Sequence, residues 1–128
     1  MRIAVVGPGG LGGRYGVILA QAGEEVSLIA RGAHLRAIRE KGLTLRDGDV
    51  DVTVEIPATD DPSEVGPVDL VLFCVKTYDL GAAAEQTRPM VGDDTMVLTV
   101  LNGVDSVERL ARILGKDCVI AGATYASG

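Results

Sequence analysis

Gly7-Pro8-Gly9-Gly10-Leu11-Gly12 follows directly on the apolar run Ile3-Ala4-Val5-Val6. Any chemistry in such a stretch belongs to the main chain. Gly7 permits a tight reversal, Gly9 lets an anion come close to the backbone, and Gly12 lets a following helix lie close to the strand. Unpaired amide N–H groups at the start of that helix then attract the anion, a pyrophosphate being the usual one. With 17 glycines among 128 residues the spacing alone recurs by chance. Its context, between a strand-like run and a helix-like segment, gives it weight.

A second candidate stands at the end of the next apolar run. Val26-Ser27-Leu28-Ile29-Ala30 is followed by Arg31. Dinucleotide-binding βαβ units commonly carry Asp or Glu at this place, whose carboxylate accepts from an adenosine ribose and repels a 2′-phosphate. A guanidinium does the opposite: it meets a phosphate with two parallel charge-assisted hydrogen bonds and stacks on an adenine face. The glycine turn and Arg31 together point to NADP(H) rather than NAD. Glu24 and Glu25 precede the run, too early to act as the ribose acid, and Arg36 and Arg39 fit the solvated face of the next helix.

Two polar residues end later apolar runs: Lys76, after Phe73-Cys74-Val75, and Asn102, in Leu101-Asn102-Gly103. Lys76 is a candidate for the nicotinamide side or a substrate carboxylate, and Asn102 for donating and accepting at a ribose or a substrate oxygen. The plainer readings are a solvated strand end and an Asn-Gly turn. The single histidine, His34, has no metal-ligand or triad spacing, so no metal site is expected. Cys74 and Cys118 fall in apolar runs, where thiols act as small hydrophobes.

The elements that would position these groups alternate. Leu11 to Ala22 predicts a helix with Ile18, Leu19 and Ala22 on its apolar side and Gly23 as its stop. Ala33 to Lys41 predicts another, with Leu35 and Ile38 inward and Gly42 closing it. Leu43-Thr44-Leu45 and Val50 to Ile56 flank Asp47-Gly48-Asp49 as a hairpin that adds antiparallel strands to the sheet. Pro57 to Pro67, rich in proline and acid, reads as a connection with one helical turn. Val68 to Val75, Thr95 to Leu101 and Cys118 to Ala123 predict buried strands, with helices from Asp79 to Arg88 and Asp105 to Leu114 between them. The expected fold is α/β: one Rossmann-like, doubly wound, mostly parallel sheet with a small antiparallel hairpin addition, in a single domain over residues 1–128. Ligands of such folds sit at the carboxyl ends of the strands.

Composition narrows the partners. At 47% hydrophobic the chain supplies one core. A formal net charge of −6 argues against a nucleic-acid or anionic-membrane surface, so anion binding must come from local dipoles and a few placed cations. No apolar run reaches the length of a membrane span and no signal peptide opens the chain, which makes a cytoplasmic location the expectation.

Gly7 to Gly12, then Tyr15-Gly16, Leu19-Ala20, Gly23, Val26, Leu28 and Arg31, with Val75-Lys76, Asn102-Gly103 and Gly122-Ala123-Thr124 farther on, resemble the N-terminal domain of the ketopantoate reductases, or 2-dehydropantoate 2-reductases. The resemblance covers essentially the whole chain. Leu101, where relatives often have glutamine, and Val104-Asp105 depart from the pattern and bear on the substrate. The resemblance implies NADPH-dependent reduction of a 2-oxo acid, 2-dehydropantoate, to pantoate, on the way to pantothenate and coenzyme A. It assigns Gly7, Gly9 and Gly12 to the pyrophosphate, with Pro8, Gly10 and Leu11 in the same turn. It assigns Arg31 to the 2′-phosphate, Lys76 to the cofactor or nearby substrate groups, and Asn102 to the nicotinamide ribose and substrate. In that family a second, mostly helical C-terminal domain supplies the acid, a lysine. These 128 residues lack it, so the expectation is a cofactor domain with no complete catalytic set, whose open cleft favours a homo-oligomer. The alternatives are a stand-alone NADP(H)-binding sensor or regulatory module, and the cofactor domain of another oxidoreductase, such as a hydroxyacid or 6-phosphogluconate dehydrogenase relative.

Overall fold

Ile3, Ala4, Val5 and Val6 are all buried in the first strand, β1 (Arg2–Val6). Neighbouring residues of a strand face opposite ways, so burial of all four means the sheet is covered on both sides here. The computed structural model describes residues 1–7, 10–74, 80–99, 104–115 and 119–121. After β1 come α1 (Gly10–Gln21), β2 (Glu25–Ile29), α2 (Gly32–Lys41), β3 (Leu43–Asp47), β4 (Val50–Val54) and β5 (Ala58–Thr59). The chain continues through β6 (Val68–Phe73), α3 (Leu80–Thr87), β7 (Val91–Thr99), α4 (Val104–Leu114) and β8 (Val119–Ala121), with 3-10 turns at Pro62–Glu64 and Arg88–Met90.

Six strands pair in parallel in the order β5-β2-β1-β6-β7-β8. With the hairpin set aside, that is the 3-2-1-4-5-6 order of a doubly wound dinucleotide-binding sheet. Chain progression reverses between β1 and β6, which makes the crevice beyond their carboxyl ends the topological switch point. The expected hairpin is present, but β3 and β4 form a sheet of their own. Asp47 pairs with Val50, leaving Gly48-Asp49 as the two-residue turn, and Leu43, Leu45, Val52 and Val54 turn toward the core beside α1.

One strand has no counterpart in the sequence reading. Within the stretch expected to be a connection with one helical turn, the turn is present at Pro62–Glu64, but β5 also pairs with β2: Leu28 N–H donates to Pro57 O at 2.8 Å and Ala30 N–H to Thr59 O at 3.0 Å. Arg39, expected on a solvated face, donates from Nε to Ala58 O at 3.0 Å and so ties α2 to this edge strand.

Two cores flank the sheet. Ile3, Val5, Val17, Leu28, Leu35 and Ile38 belong to the layer under α1 and α2, while Val6, Phe73, Ala84, Met90, Val97 and Leu110 belong to the layer under α3 and α4. Helix α1 corrects the expected apolar side. Leu19 packs half-buried against the core as expected, but Ile18 is 43% exposed and Ala22 is exposed, and Gly12, Gly13, Gly16 and Val17 face inward. A stripe of small residues lets the helix axis come close to the strands, so its smallest face, and not its greasiest, is the buried one.

Thr95 is 3% exposed and polar, and both capacities of its hydroxyl are used. It donates to Val68 O at 2.5 Å and accepts from Gly92 N–H at 2.8 Å, where the β6–β7 register shifts between Val68 and Leu70. Thr95→Val keeps the shape and orphans both partners. It is expected to lower stability by about 1–3 kcal/mol, read as a lower urea midpoint at unchanged slope.

Candidate active site at the carboxyl edge of the sheet

Val6 pairs with Ile29 on one side and Phe73 on the other, which brings three strand ends to one level. Gly7 N–H donates to Ile29 O at 3.2 Å and Cys74 N–H to Val6 O at 2.9 Å, so Gly7, Ala30 and Cys74 form adjoining steps of the carboxyl edge at the switch point. Gly7 has φ 83, a conformation that a β-carbon strongly disfavours. From there the chain turns into α1.

Gly12 explains how closely that helix lies. A β-carbon there would stand 2.5 Å from Gly7 O, 3.1 Å from Cys74 Cβ and 3.4 Å from Cys74 Sγ. The side of the turn is therefore walled by a carbonyl and a thiol, and the helix start is pressed onto the end of β1. Cys74 is half-buried and next to this contact, and burial pushes its thiol up to about 11. At neutral pH it is a protonated packing group, as its apolar context in the sequence suggests. No acidic residue lies in the first turn of α1, so nothing on the helix opposes an anion at its N-terminus.

Arg31 is the residue before α2, with extended backbone (φ −140, ψ 160) and no side-chain capping bond. Its side chain is exposed, and among the described residues its guanidinium makes no hydrogen bond or ion pair. It stands one residue past Ala30 and two past the end of β2, the strand whose Ile29 carbonyl accepts from Gly7 N–H. The geometry thus brings Gly7, Gly12 and Arg31 to one edge of the sheet. Gly10 and Leu11 open α1. Pro8, Gly9, Lys76 and Asn102 lie outside the described residues, as does Cys118. Lys76 comes two residues after Cys74 in the chain, and Asn102 three after Thr99, the partner of Phe73.

Glu24 and Glu25 stand at the opposite, amino edge. Glu25 accepts from Arg2 Nε at 2.9 Å, and Arg2 also donates to Val65 O and Pro67 O. His34 is exposed on α2. A cavity of about 350 Å³ among Ser27, Pro57, Ala58, Thr59, Glu64 and Val65 lies where the path from β5 to β6 uses a 3-10 turn instead of a helix. Gly7, Gly12 and Arg31 do not line it, whereas Glu25 and Val26 do. Among the described residues no helix is long and apolar enough to cross a membrane.

A glycine of positive φ at the end of β1, a helix start free of acids and an exposed, unengaged arginine thus stand at one edge of the sheet. Against this geometry, the family model for ketopantoate reductase PanE/ApbA matches residues 3–128. The chain belongs to that family. A 2-dehydropantoate 2-reductase of Halobacterium salinarum is 41% identical over 127 residues, covering 97% of this chain and 41% of that protein. Among solved structures, the 2-dehydropantoate 2-reductase from Porphyromonas gingivalis superposes with a TM-score of 0.89 at 44% identity, over 98% of this chain and 46% of that one. A D-mandelate dehydrogenase bound to NADH and anilino(oxo)acetate superposes with a TM-score of 0.88 at 31% identity, over 96% of this chain and 40% of that one. The 128 residues thus span less than half the length of these relatives and correspond to their N-terminal, Rossmann-like part.

Gly12→Ala places a methyl group into the Gly7 carbonyl and Cys74. The expected outcome is a loss of about 1–3 kcal/mol of stability from overpacking, measured by chemical denaturation, with Gly13→Ala measured alongside as a second buried glycine of α1.

Proposed function

We propose that residues 1–128 are the NADP(H)-binding domain of a cytoplasmic 2-dehydropantoate 2-reductase. The observation that carries the reading is the unengaged Arg31, in the link from β2 to α2 beside the end of β1 at Gly7. In this reading Gly7 and Pro8 shape the turn, the Gly7 N–H being held by Ile29 O, and the main-chain amides of Gly9, Gly10, Leu11 and Gly12 cradle the pyrophosphate. Arg31 holds the 2′-phosphate, and Lys76 and Asn102 hold the nicotinamide ribose and the oxygens of a 2-oxo acid. Bound NADPH supplies a hydride. The amides and Arg31 orient the dinucleotide across the switch point, the half-buried Cys74 keeps the floor beneath the turn dry, and Lys76 offers positive charge to a substrate carboxylate.

Catalysis also requires a positioned acid and a site closed to water. We assign both to a region corresponding to the rest of the relatives' length, a C-terminal helical domain, and treat association of this chain with such a region or with a second copy as part of the proposal. The likeness to D-mandelate dehydrogenase supports a second reading with the same cofactor geometry and a different 2-oxo acid.

Calorimetric titration with NADPH and NADH tests the central assignment. The chain is expected to prefer NADPH, and Arg31→Ala to weaken NADPH by about ten- to a hundredfold, the worth of one charge-assisted contact, while leaving NADH nearly unchanged. Equal affinities for both dinucleotides in the unsubstituted chain would contradict it. The same 128 residues, saturated with NADPH, are expected to show negligible ketopantoate reduction when absorbance at the nicotinamide band is followed; steady turnover would refute the assignment of the acid elsewhere.

A further inference from the structure

Arg31 has an acidic neighbour for which the assignment of the phosphate leaves no role. Thr59 pairs with Ile29, and its carbonyl accepts from Ala30 N–H at 3.0 Å. The next residue, Asp60, therefore follows the end of β5 as Ala30 follows the end of the paired β2, one residue before Arg31. Paired strands lie roughly 5 Å apart, which puts the Asp60 and Arg31 backbones on one stretch of rim. Both residues are exposed, and among the described residues neither side chain makes a hydrogen bond or ion pair.

The other acids nearby are committed. Asp61 accepts from Ser63 Oγ at 2.6 Å and Ser63 N–H at 3.0 Å, and these bonds hold its carboxyl below the usual range. Glu64 accepts from the Thr59 hydroxyl at 3.0 Å, below the rim. Asp60 is the carboxylate of this segment that remains available to a group approaching Arg31.

We infer that Asp60 is a specificity-determining residue: its carboxylate opposes the 2′-phosphate that Arg31 attracts, and so limits the preference for the phosphorylated dinucleotide. The inference rests on the dinucleotide reading of the site. A phosphate with close to two negative charges, held about 8 Å from a carboxylate near the surface, is weakened by roughly three- to tenfold. An unphosphorylated ribose carries a hydroxyl there instead, which suffers no repulsion and donates to a carboxylate within reach. Occupation of the same scaffold by NADH in D-mandelate dehydrogenase is in keeping with a rim that accommodates that form.

The test titrates NADPH and NADH into the unsubstituted chain, Asp60→Asn and Asp94→Asn, at low and at high salt. Asp94 is exposed on β7 and removes the same net charge away from this rim. Asp60→Asn is expected to tighten NADPH by about three- to tenfold without tightening NADH, and high salt is expected to shrink the gain. Asp94→Asn is expected to change neither ratio. An unchanged NADPH-to-NADH ratio in Asp60→Asn, or an equal change in Asp94→Asn, overturns the inference while the NADPH preference of the unsubstituted chain leaves the parent reading intact. Failure of the unsubstituted chain to bind either dinucleotide overturns both.

Discussion

Gly7 O and the open side of Gly12 are close enough that a single β-carbon on Gly12 would reach to 2.5 Å from the oxygen. This contact sets the course of the chain from β1 into α1, and the rest of the site is arranged around it. Because the helix begins pressed against the strand end, its start lies at the carboxyl edge of β1, beside the switch point between β1 and β6. Cys74, at the end of β6, closes the contact from the other side. The same closeness is carried along α1 by Gly13 and Gly16. The helix thus buries a face with little side-chain volume and leaves Ile18 toward solvent.

Electrostatics divides the molecule by edge. The chain carries a formal charge of −6, yet its carboxyl edge presents helix starts without acids in their first turns at α1 and α2, and Arg31 without a protein partner among the described residues. At the amino edge Arg2 is spent on Glu25 and on two carbonyls of the β5–β6 crossover. An anion approaching this edge would meet local dipoles and Arg31, beside the exposed Asp60, within an unfavourable overall field. That arrangement favours a ligand able to reach several backbone donors at once over non-specific polyanion binding.

Much of this was legible in the residues. The glycine spacing, the strand-like runs and the arginine after the second run fix the βαβ unit, and the later runs give the remaining major strands with boundaries shifted by a few residues. What escaped has physical reasons. β5 consists of two residues and is defined by where Pro57 and Thr59 carbonyls point, a property without a hydrophobic period. The inward face of α1 is built from glycines, which a count of apolar side chains passes over. Thr95 looks like an ordinary strand threonine until its hydroxyl is seen bridging Val68 and Gly92. Asp60 comes beside Arg31 through a non-local register between β2 and β5, which no local spacing encodes. Lys76 and Asn102 lie outside the described residues, and the roles proposed for them rest on their order in the chain.

The central claim is a charge match between the Arg31 guanidinium and the extra phosphate of NADP, with the pyrophosphate on the Gly7–Gly12 turn. A crystal structure of the chain grown with NADP tests it most directly. The account predicts two guanidinium nitrogens about 2.8 Å from oxygens of the 2′-phosphate, with the pyrophosphate at the start of α1. A fully occupied dinucleotide with the Arg31 side chain turned to solvent, or with its pyrophosphate away from that turn, would contradict it.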